Sequence, residues 1–346
     1  MRKLNHRLLS IFILITACLG TEAAETLKIT ESKCIKLPDG AFWIDNYRSN
    51  NHGVISLEPA HWRATSASPK LARIKPNQIN RKGLDNLSMS GSANPTLTNM
   101  HWLKKNYGAT HSVYIIDLRQ ETHLFINGSP VSIFYKKDEI NWGKTLTDIN
   151  QFEHYWVNNL LYQNTIKLNK LGRPVLGLKI PTKPQATTIQ EVYTEAEAAK
   201  MAGIGYFRID VPDYHPPAPE QVDLFVQFVK KAPAHSWFHF HCAAGKGRTT
   251  TFMVMRDILA NGTQVELIDI VTRQALLGGI DLFASSKSLS AQPWKKEFHE
   301  ARVDFIKLFY TYIHNGIEAK QSFAQWIKKQ PPGAYKAILH TAAYPQ

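Results

Sequence analysis

One segment constrains the fold of this 346-residue chain more than any other: WFHFHCAAGKGRTTTFMVMRDIL, residues 237–259. The alternating aromatic run up to His241 predicts a buried strand, and the amphipathic spacing from Arg248 onward predicts a helix. The residues between them are mostly small: Ala243, Ala244, Gly245 and Gly247. Such a backbone can curl with its N–H groups turned inward, so the segment predicts an anion-binding loop between the end of a strand and a helix N-terminus.

The residues around this loop indicate chemistry as well as binding. Cys242 would lie at the base of the loop, where amides, the helix dipole and the charge of Arg248 favour a thiolate. Arg248 has the planar fork that grips two phosphate oxygens, which a lysine lacks. Thr249 is placed to donate a hydrogen bond to the departing sulfur. The alternative is that Cys242 is an unreactive cysteine of the hydrophobic core. The combination of Cys242 with His241, Gly245, Arg248 and Thr249 favours a catalytic nucleophile instead.

The rest of the chain alternates predicted strands and helices. Residues 113–116, 175–181 and 205–213 have strand patterns, and residues 151–171 and 194–203 have helical spacing. This alternation predicts a layered α/β fold with its functional residues at the carboxyl ends of strands.

Composition limits the partners of the chain. The formal net charge is +13, which implies attraction to polyanions such as anionic lipids or highly phosphorylated small molecules. The basic residues are scattered and form no nucleic-acid module, so nucleic acid is not expected as a partner.

Three cysteines, at positions 18, 34 and 242, do not make a disulfide scaffold, although pairing of Cys34 with Cys242 stays open.

The N-terminus predicts export. Basic residues precede the apolar run 8–19 and small residues follow it, as in a bacterial signal peptide spanning 1–23. Cys18 ends a lipobox-like stretch, so a lipid anchor is the alternative, and delivery into another cell is a third fate. No other segment is long and apolar enough to predict a transmembrane helix.

The motif HCAAGKGRT resembles the Cys-x5-Arg loop of the protein tyrosine phosphatase superfamily. Further stretches, including HWRATS, IIDLRQETH and GIGYFRIDVPDYHPP, make the chain most similar to bacterial protein-tyrosine-phosphatase-like (PTP-like) inositol polyphosphatases, the cysteine phytases. The resemblance implies an α/β sandwich with a central sheet flanked by helices. It also implies a small β-rich, barrel-like subdomain, built from the N-terminal region and about 120–185, within one phosphatase domain of residues 24–346.

The resemblance implies removal of phosphates from myo-inositol hexakisphosphate through a cysteinyl-phosphate intermediate, without metal or cofactor. Asp213 matches the position of the general acid, and Asp210, which we expect to lie within the strand, is its rival. The implied substrate-binding residues include the loop and a surrounding set: His241, Ala243, Ala244, Gly245, Lys246, Gly247, Arg63, Asp117, Arg119, Lys183, Arg302 and Lys307. Lys183, Arg302 and Lys307, together with Lys179, are candidates for a basic rim, and Arg119 has a structural alternative in pairing with Asp117 or Glu121.

The chain departs from the family at two loop positions: family loops commonly have an acidic residue after the cysteine and an apolar residue after the first glycine, where this chain has Ala243 and Lys246. Because tensin-like phosphoinositide phosphatases show the same AGKGRT sequence, a lipid substrate stays open. A phosphotyrosine substrate is a further alternative, although no aromatic motif is evident for a deep slot. A non-catalytic polyanion-binding protein is the alternative from another class.

Overall fold

The computed structural model describes residues 42–44, 57–66, 69–75, 77–133, 140–170, 184–285, 295–315, 321–331 and 333–335. The signal peptide predicted at 1–23, Cys34 and the strand predicted at 175–181 therefore lie outside the described residues.

The strands of the described residues are β1 (Phe42–Ile44), β2 (Arg63–Ala64), β3 (Met89–Ala93), β4 (Ser112–Asp117), β5 (His123–Ile126), β6 (Ser129–Ile133), β7 (Thr165–Leu168), β8 (Gln185–Thr188), β9 (Val192–Tyr193), β10 (Gly205–Arg208) and β11 (Ser236–Cys242). The α-helices are α1 (Leu97–Tyr107), α2 (Leu146–Leu161), α3 (Glu195–Met201), α4 (Pro219–Lys231), α5 (Gly247–Asn261), α6 (Leu267–Leu276), α7 (Lys296–Asn315) and α8 (Phe323–Ile327). Two short 3-10 helices span Pro69–Arg73 and Leu84–Asn86.

The central sheet has the strand order β10-β4-β11-β3-β2. Strand β11 lies in its middle, parallel to both β4 and β3, while β2 at the edge runs antiparallel to β3. The carboxyl ends of β3, β4, β10 and β11 therefore meet at one edge of the sheet, where sites of α/β folds form.

Residues of β11 alternate between two cores, as the aromatic alternation predicts. Phe238, Phe240 and Cys242 belong to the large core that includes α4 to α8. Trp237 belongs to the core on the other side, with Met100 of α1. The period of two in a strand puts His239 and His241 on the Trp237 side. Helices thus cover both faces of the sheet, and the predicted mixed α/β architecture is confirmed.

A second sheet, with the order β1-β6-β5-β9, is antiparallel throughout, and β7 and β8 form a separate antiparallel pair. Leu124 and Val131 of this sheet pack with Val157 and Leu160 of α2. This part of the chain is the β-rich region that the resemblance implies. The division into a signal peptide and one domain spanning 24–346 stays a prediction.

The helix predicted over 151–171 is wrong at its C-terminal end, because α2 ends before β7 begins. In β7, Ile166 and Leu168 are buried while Thr165 and Lys167 are exposed. This two-residue period is typical of a strand. It covers only four residues, so the helical spacing of the longer segment before it obscured it in the sequence.

The helix predicted at 194–203 is confirmed as α3, and its sequence explains its start. The Thr194 side chain accepts a hydrogen bond from the Glu197 backbone N–H, and the Glu197 carboxylate accepts one from the Thr194 N–H. Such a capping box contributes about 1 kcal/mol to helix stability.

Within the described residues, no helix has both the length and the apolar character needed to cross a bilayer.

Candidate active site

The loop of residues 243–246 connects β11 to α5 at the carboxyl edge of the central sheet. Gly245 adopts a φ of +67°, and a Cβ there would lie 2.2 Å from the backbone of Ser92 and Ala93. Only glycine combines this conformation with so close an approach of two backbones. The tight curl that the small residues predict therefore depends on Gly245 in particular.

The helix end above this loop has no side-chain cap. Lys246 precedes the first residue of α5, its side chain is exposed, and it makes no capping hydrogen bond. The first N–H groups of a helix lack partners within the helix and carry a partial positive charge. The loop and the start of α5 thus have the donors that an oxyanion requires.

Cys242 is a free thiol, 3% exposed, at the base of the loop. The hydroxyl of Thr249, in the first turn of α5, donates to its sulfur at 3.2 Å. A donor in this position stabilises negative charge on the sulfur. The two side chains thus have the geometry of a nucleophile and of a group that assists its departure.

Arg248 is 2% exposed, and Glu121 fixes one edge of its guanidinium. Its Nη1 and Nη2 donate to the two Glu121 oxygens at 2.7 Å each, and Nη1 also donates to the carbonyl of Val211 at 2.9 Å. Its Nε is buried and has no hydrogen-bond partner in the described part of the chain. One edge of the fork is therefore anchored, and the other retains a donor for a phosphate oxygen.

Electrostatics keep this pair ionised. Burial would raise the pKa of Glu121, but the charges of Arg248 and Arg119 hold it well below its ordinary value. Burial would lower the pKa of Arg248, but Glu121, Asp213 and Cys242 raise it well above its ordinary value. The role of Glu121 was not predicted from the sequence. Its position four residues after the end of β4, the strand beside β11, is the signal that points to it.

Asp213 lies beside the anchored arginine. Its Oδ1 is 3.2 Å from Nη2 of Arg248, and the side chain is 24% exposed. Asp210 lies beyond the end of β10, so the expectation that it is within a strand is wrong; burial raises its pKa, and its charged neighbours are Arg208 and Asp117. Of the two candidate acids, the structure brings Asp213 to Arg248.

Two further arginines approach the loop. Arg63 is 1% exposed and donates to the Gly245 carbonyl at 2.8 Å, so it supports the outside of the loop. Arg302 is 8% exposed and donates to the Tyr214 carbonyl at 2.7 Å, and a Cβ on Gly247 would lie 2.9 Å from its Nη1. Burial lowers the pKa of each arginine to about 10, and the charge of Cys242 opposes this effect at both.

The Nε atoms of Arg63 and Arg302 are buried and have no hydrogen-bond partner among the described residues. Arg302 lies between the loop and the residue after Asp213, so its open donors are near the candidate nucleophile and acid. This position suits an arginine that meets a phosphate group.

Three residues expected in the pocket are buried beneath it instead. Asp117 and Arg119 are 0% exposed; Asp117 accepts hydrogen bonds from Tyr206 and the Arg119 backbone, and Arg119 donates to Glu121. His241 is also 0% exposed, and its Nε2 lies 2.8 Å from a carboxylate oxygen of Glu195. The correction has a physical reason: these charged side chains neutralise one another below the sheet edge.

The remaining predicted residues divide into three cases. Ala243 and Ala244 contribute loop carbonyls that accept from the Asn94 N–H at 3.3 Å and from the His61 ring at 2.8 Å. Lys307 is exposed on α7, and no contact within the described ranges joins it to the loop. Lys183 lies outside the described residues.

One buried group in the described ranges has ligand types suited to a metal: Asp117, Glu195 and His241, with ligand atoms within 4.8 Å of one another. However, Asp117 already accepts from Tyr206 and lies 3.2 Å from Arg208. These partners make the group an ion-pair network, and we assign no metal to it.

A buried cysteine followed six residues later by an arginine, around a curled loop on the middle strand of a parallel sheet, defines the Cys-x5-Arg phosphatase superfamily. Within it the chain is similar to the PTP-like phytases. Residues 116–260 match the sequence model of that family, which is described by the words inositol hexakisphosphate. The family resemblance seen in the sequence is thereby confirmed.

Solved structures agree with this assignment. The PTP-like myo-inositol phosphatase from Mitsuokella multacida, in complex with myo-inositol-(1,3,4,5)-tetrakisphosphate, superposes with a TM-score of 0.73 at 29% identity, covering 86% of this chain and 48% of that one. A PTP-like phytase from Bdellovibrio bacteriovorus superposes with a TM-score of 0.62 at 27% identity, covering 86% of this chain and 99% of that one.

The chain is also similar to a curated relative, effector protein hopD2 of Pseudomonas syringae pv. tomato. The two are 28% identical over 306 residues, which is 87% of this chain and 61% of the relative. The chain thus spans well under the full length of hopD2 and about half of the Mitsuokella protein.

Proposed function

We propose that the protein is a phosphomonoester hydrolase acting on inositol polyphosphates through a cysteinyl-phosphate intermediate. The observation that carries the proposal is the arrangement of Arg248, anchored by Glu121 with its Nε open, beside a thiol that accepts a hydrogen bond from Thr249. The match to the PTP-like phytase family supports it.

In the first step, the Cys242 sulfur attacks phosphorus and the bond from phosphorus to the inositol oxygen breaks. Asp213 gives its proton to that oxygen, so a neutral hydroxyl leaves. The loop amides and Arg248 hold the phosphoryl oxygens, whose charge spreads in the transition state.

In the second step, water attacks the phosphocysteine and Asp213 takes its proton. The sulfur–phosphorus bond breaks, inorganic phosphate leaves, and Thr249 donates to the thiolate that forms. No step requires a metal or a cofactor.

The substrate class follows from charge and from the relatives. The excess of basic over acidic residues and the open Nε donor of Arg302 suit a ring with several phosphates. The similar Mitsuokella phosphatase was solved with an inositol tetrakisphosphate bound, which supports the same class. We therefore place inositol hexakisphosphate and its partly dephosphorylated products first.

One observation favours a second candidate. Tyr214 directly follows Asp213, has a φ of +68°, and its carbonyl is held by Arg302, which puts an aromatic residue next to the candidate acid. An aromatic wall suits phosphotyrosine. The chemistry at Cys242 would be unchanged, and a phosphoinositide lipid is the other alternative.

The test is phosphate release by the purified protein, with a chelator present, from inositol hexakisphosphate, a phosphotyrosine peptide and phosphoinositide vesicles. We expect rapid release from the first, and none from Cys242→Ser. Release only from the peptide or the vesicles would overturn the substrate class and keep the mechanism. Binding of all three compounds without release of phosphate would support the alternative of a non-catalytic polyanion-binding protein.

We also propose that the protein is exported, with residues 1–23 removed as a signal peptide. The support is the sequence pattern alone, and a relative named as an effector protein keeps delivery into another cell as an alternative. Mass spectrometry of the mature N-terminus tests this: a start near residue 24 supports a signal peptide, a lipid-modified Cys18 supports an anchor, and an intact Met1 contradicts both.

A further inference from the structure

A buried glutamate links the nucleophile strand to the second sheet. Glu195 is the first residue of α3, is 1% exposed, and reaches two histidines with its two carboxylate oxygens. Its Oε2 lies 2.6 Å from Nε2 of His123 in β5, and its Oε1 lies 2.8 Å from Nε2 of His241 in β11. His241 directly precedes Cys242, so this bridge ends one residue from the nucleophile.

The bridge is charged. Burial would raise the pKa of Glu195, but His241 and His123 hold it below its ordinary value, so the group is a carboxylate at neutral pH. A carboxylate only accepts hydrogen bonds, so Oε2 accepts one from His123 Nε2, whereas Oε1 and His241 Nε2 meet as an ion-pair contact. Asp117 and His239 are further titratable groups near His241.

A second connection runs from Glu195 to the loop itself. The side-chain amide of Asn94 donates to Glu195 Oε2 at 3.5 Å, and the backbone N–H of Asn94 donates to the carbonyl of Ala243 at 3.3 Å. The residues on both sides of Cys242 are therefore tied to one carboxylate: His241 directly, and Ala243 through Asn94.

We propose that Glu195 is a positioning residue for the nucleophile, which it orients by holding the His241 ring and, through Asn94, the first residue of the phosphate-binding loop. This proposal rests on the proposed function. Glu195 does not touch the reacting atoms; it restricts where the strand ends and the loop begins. A displacement of a reacting group by about 1 Å lowers a rate by about 100-fold, so modest loosening has a large effect on the chemical step.

The test compares Glu195→Gln with the wild type in two measurements. Calorimetric titration with tungstate, a phosphate analogue, counts intact loops per chain, and kcat with p-nitrophenyl phosphate reports the chemistry. We expect one tungstate site per chain in both proteins and a loss of kcat by about tenfold or more in the variant. If the number of tungstate sites falls in proportion to kcat, Glu195 only supports folding and the proposal is wrong.

Glu153→Gln is the matched control. Glu153 is a buried carboxylate of the same network, which accepts from Arg208 Nη1 at 2.8 Å and from the His123 backbone at 3.1 Å, and no contact within the described residues joins it to His241. We expect kcat per tungstate site to stay near wild type in this control. An equal loss of kcat in both variants would overturn the proposal.

A double-mutant cycle tests the route through His241. If Glu195 acts through that ring, Glu195→Gln should add little to the loss caused by His241→Gln, whereas independent effects would multiply. A wild type that binds tungstate but hydrolyses no phosphate ester would instead contradict the proposed function, so the two failures are distinguishable.

Discussion

Replacement of Glu121 by glutamine tests how the arginine of the loop is held. Glu121 accepts hydrogen bonds from Nη1 and Nη2 of Arg248 at 2.7 Å each and from Nε of Arg119 at 3.0 Å. A glutamine has one acceptor oxygen and turns an NH2 group toward guanidinium groups that only donate. At least one of the two short bonds to Arg248 is therefore lost.

The size of the effect follows from burial. A hydrogen bond to a charged group contributes about 1.5–3 kcal/mol, and removing one partner of a buried ion pair costs about 3–5 kcal/mol. Because glutamine keeps one acceptor, we expect the free energy of unfolding to fall by about 3 kcal/mol, which lowers Tm by about 4 °C in a chain of this size. Loss of one preorganised donor in a transition state lowers kcat by about 100-fold or more.

The assay is kcat together with thermal unfolding, with Glu153→Gln as the control. Glu153 also pairs with a buried arginine, Arg208, at 2.8 Å, and that arginine reaches Glu121 at its backbone carbonyl and not at the carboxylate that holds Arg248. The control should lower Tm by a comparable amount and change kcat by less than about threefold. Equal losses of kcat in both variants, or a wild-type kcat in Glu121→Gln, would refute the reasoning.

Three further expectations follow from the same geometry. Gly245→Ala should abolish tungstate binding, because its Cβ would lie 2.2 Å from the Ser92 backbone; retained binding contradicts the assigned loop shape. Arg302→Gln should raise the KM for inositol hexakisphosphate by about tenfold, since a lost hydrogen bond to a charged group costs about 1.5 kcal/mol. The KM for p-nitrophenyl phosphate, which has a single phosphate, should change little. Equal increases for both substrates would show that Arg302 does not bind a second phosphate. The pKa of Glu195 is lower in the folded chain than its unfolded value of about 4.3, so its stabilisation is present above that pH and is lost as pH falls through the folded pKa. Urea unfolding at pH 7 and pH 3 should therefore show a smaller acid-induced loss in Glu195→Gln than in the wild type, and identical losses would contradict the ionised carboxylate.

The central strand, the loop and the helix after it could be predicted because their signals are local. The alternation up to Cys242, the small residues around Gly245 and the amphipathic spacing after Arg248 each depend on neighbours within a few residues. The end of α2 was not predictable in this way, because the change from helical to strand period at Ile166 is short and no glycine or proline marks it.

The support of the site was less accessible to sequence reasoning. Glu121 and Glu195 reach the loop from other elements, so their roles depend on which strands are neighbours and on the register between them. Asp117 and Arg119 are residue types that often bind substrates. Only the structure shows that both are buried and that their partners are protein groups, such as Tyr206 for Asp117 and Glu121 for Arg119. Charged residues at a strand end predict proximity to a site, but not which of them face the ligand.

Capture of the covalent intermediate tests the central claim most directly. The protein would be mixed with inositol hexakisphosphate, quenched in acid within milliseconds and digested, and the peptide that contains Cys242 would be examined by mass spectrometry. We expect a phosphate on that cysteine, and no phosphorylated peptide from Cys242→Ser. Phosphate release by the wild type with an unmodified Cys242, or release by Cys242→Ser at the wild-type rate, would contradict the mechanism.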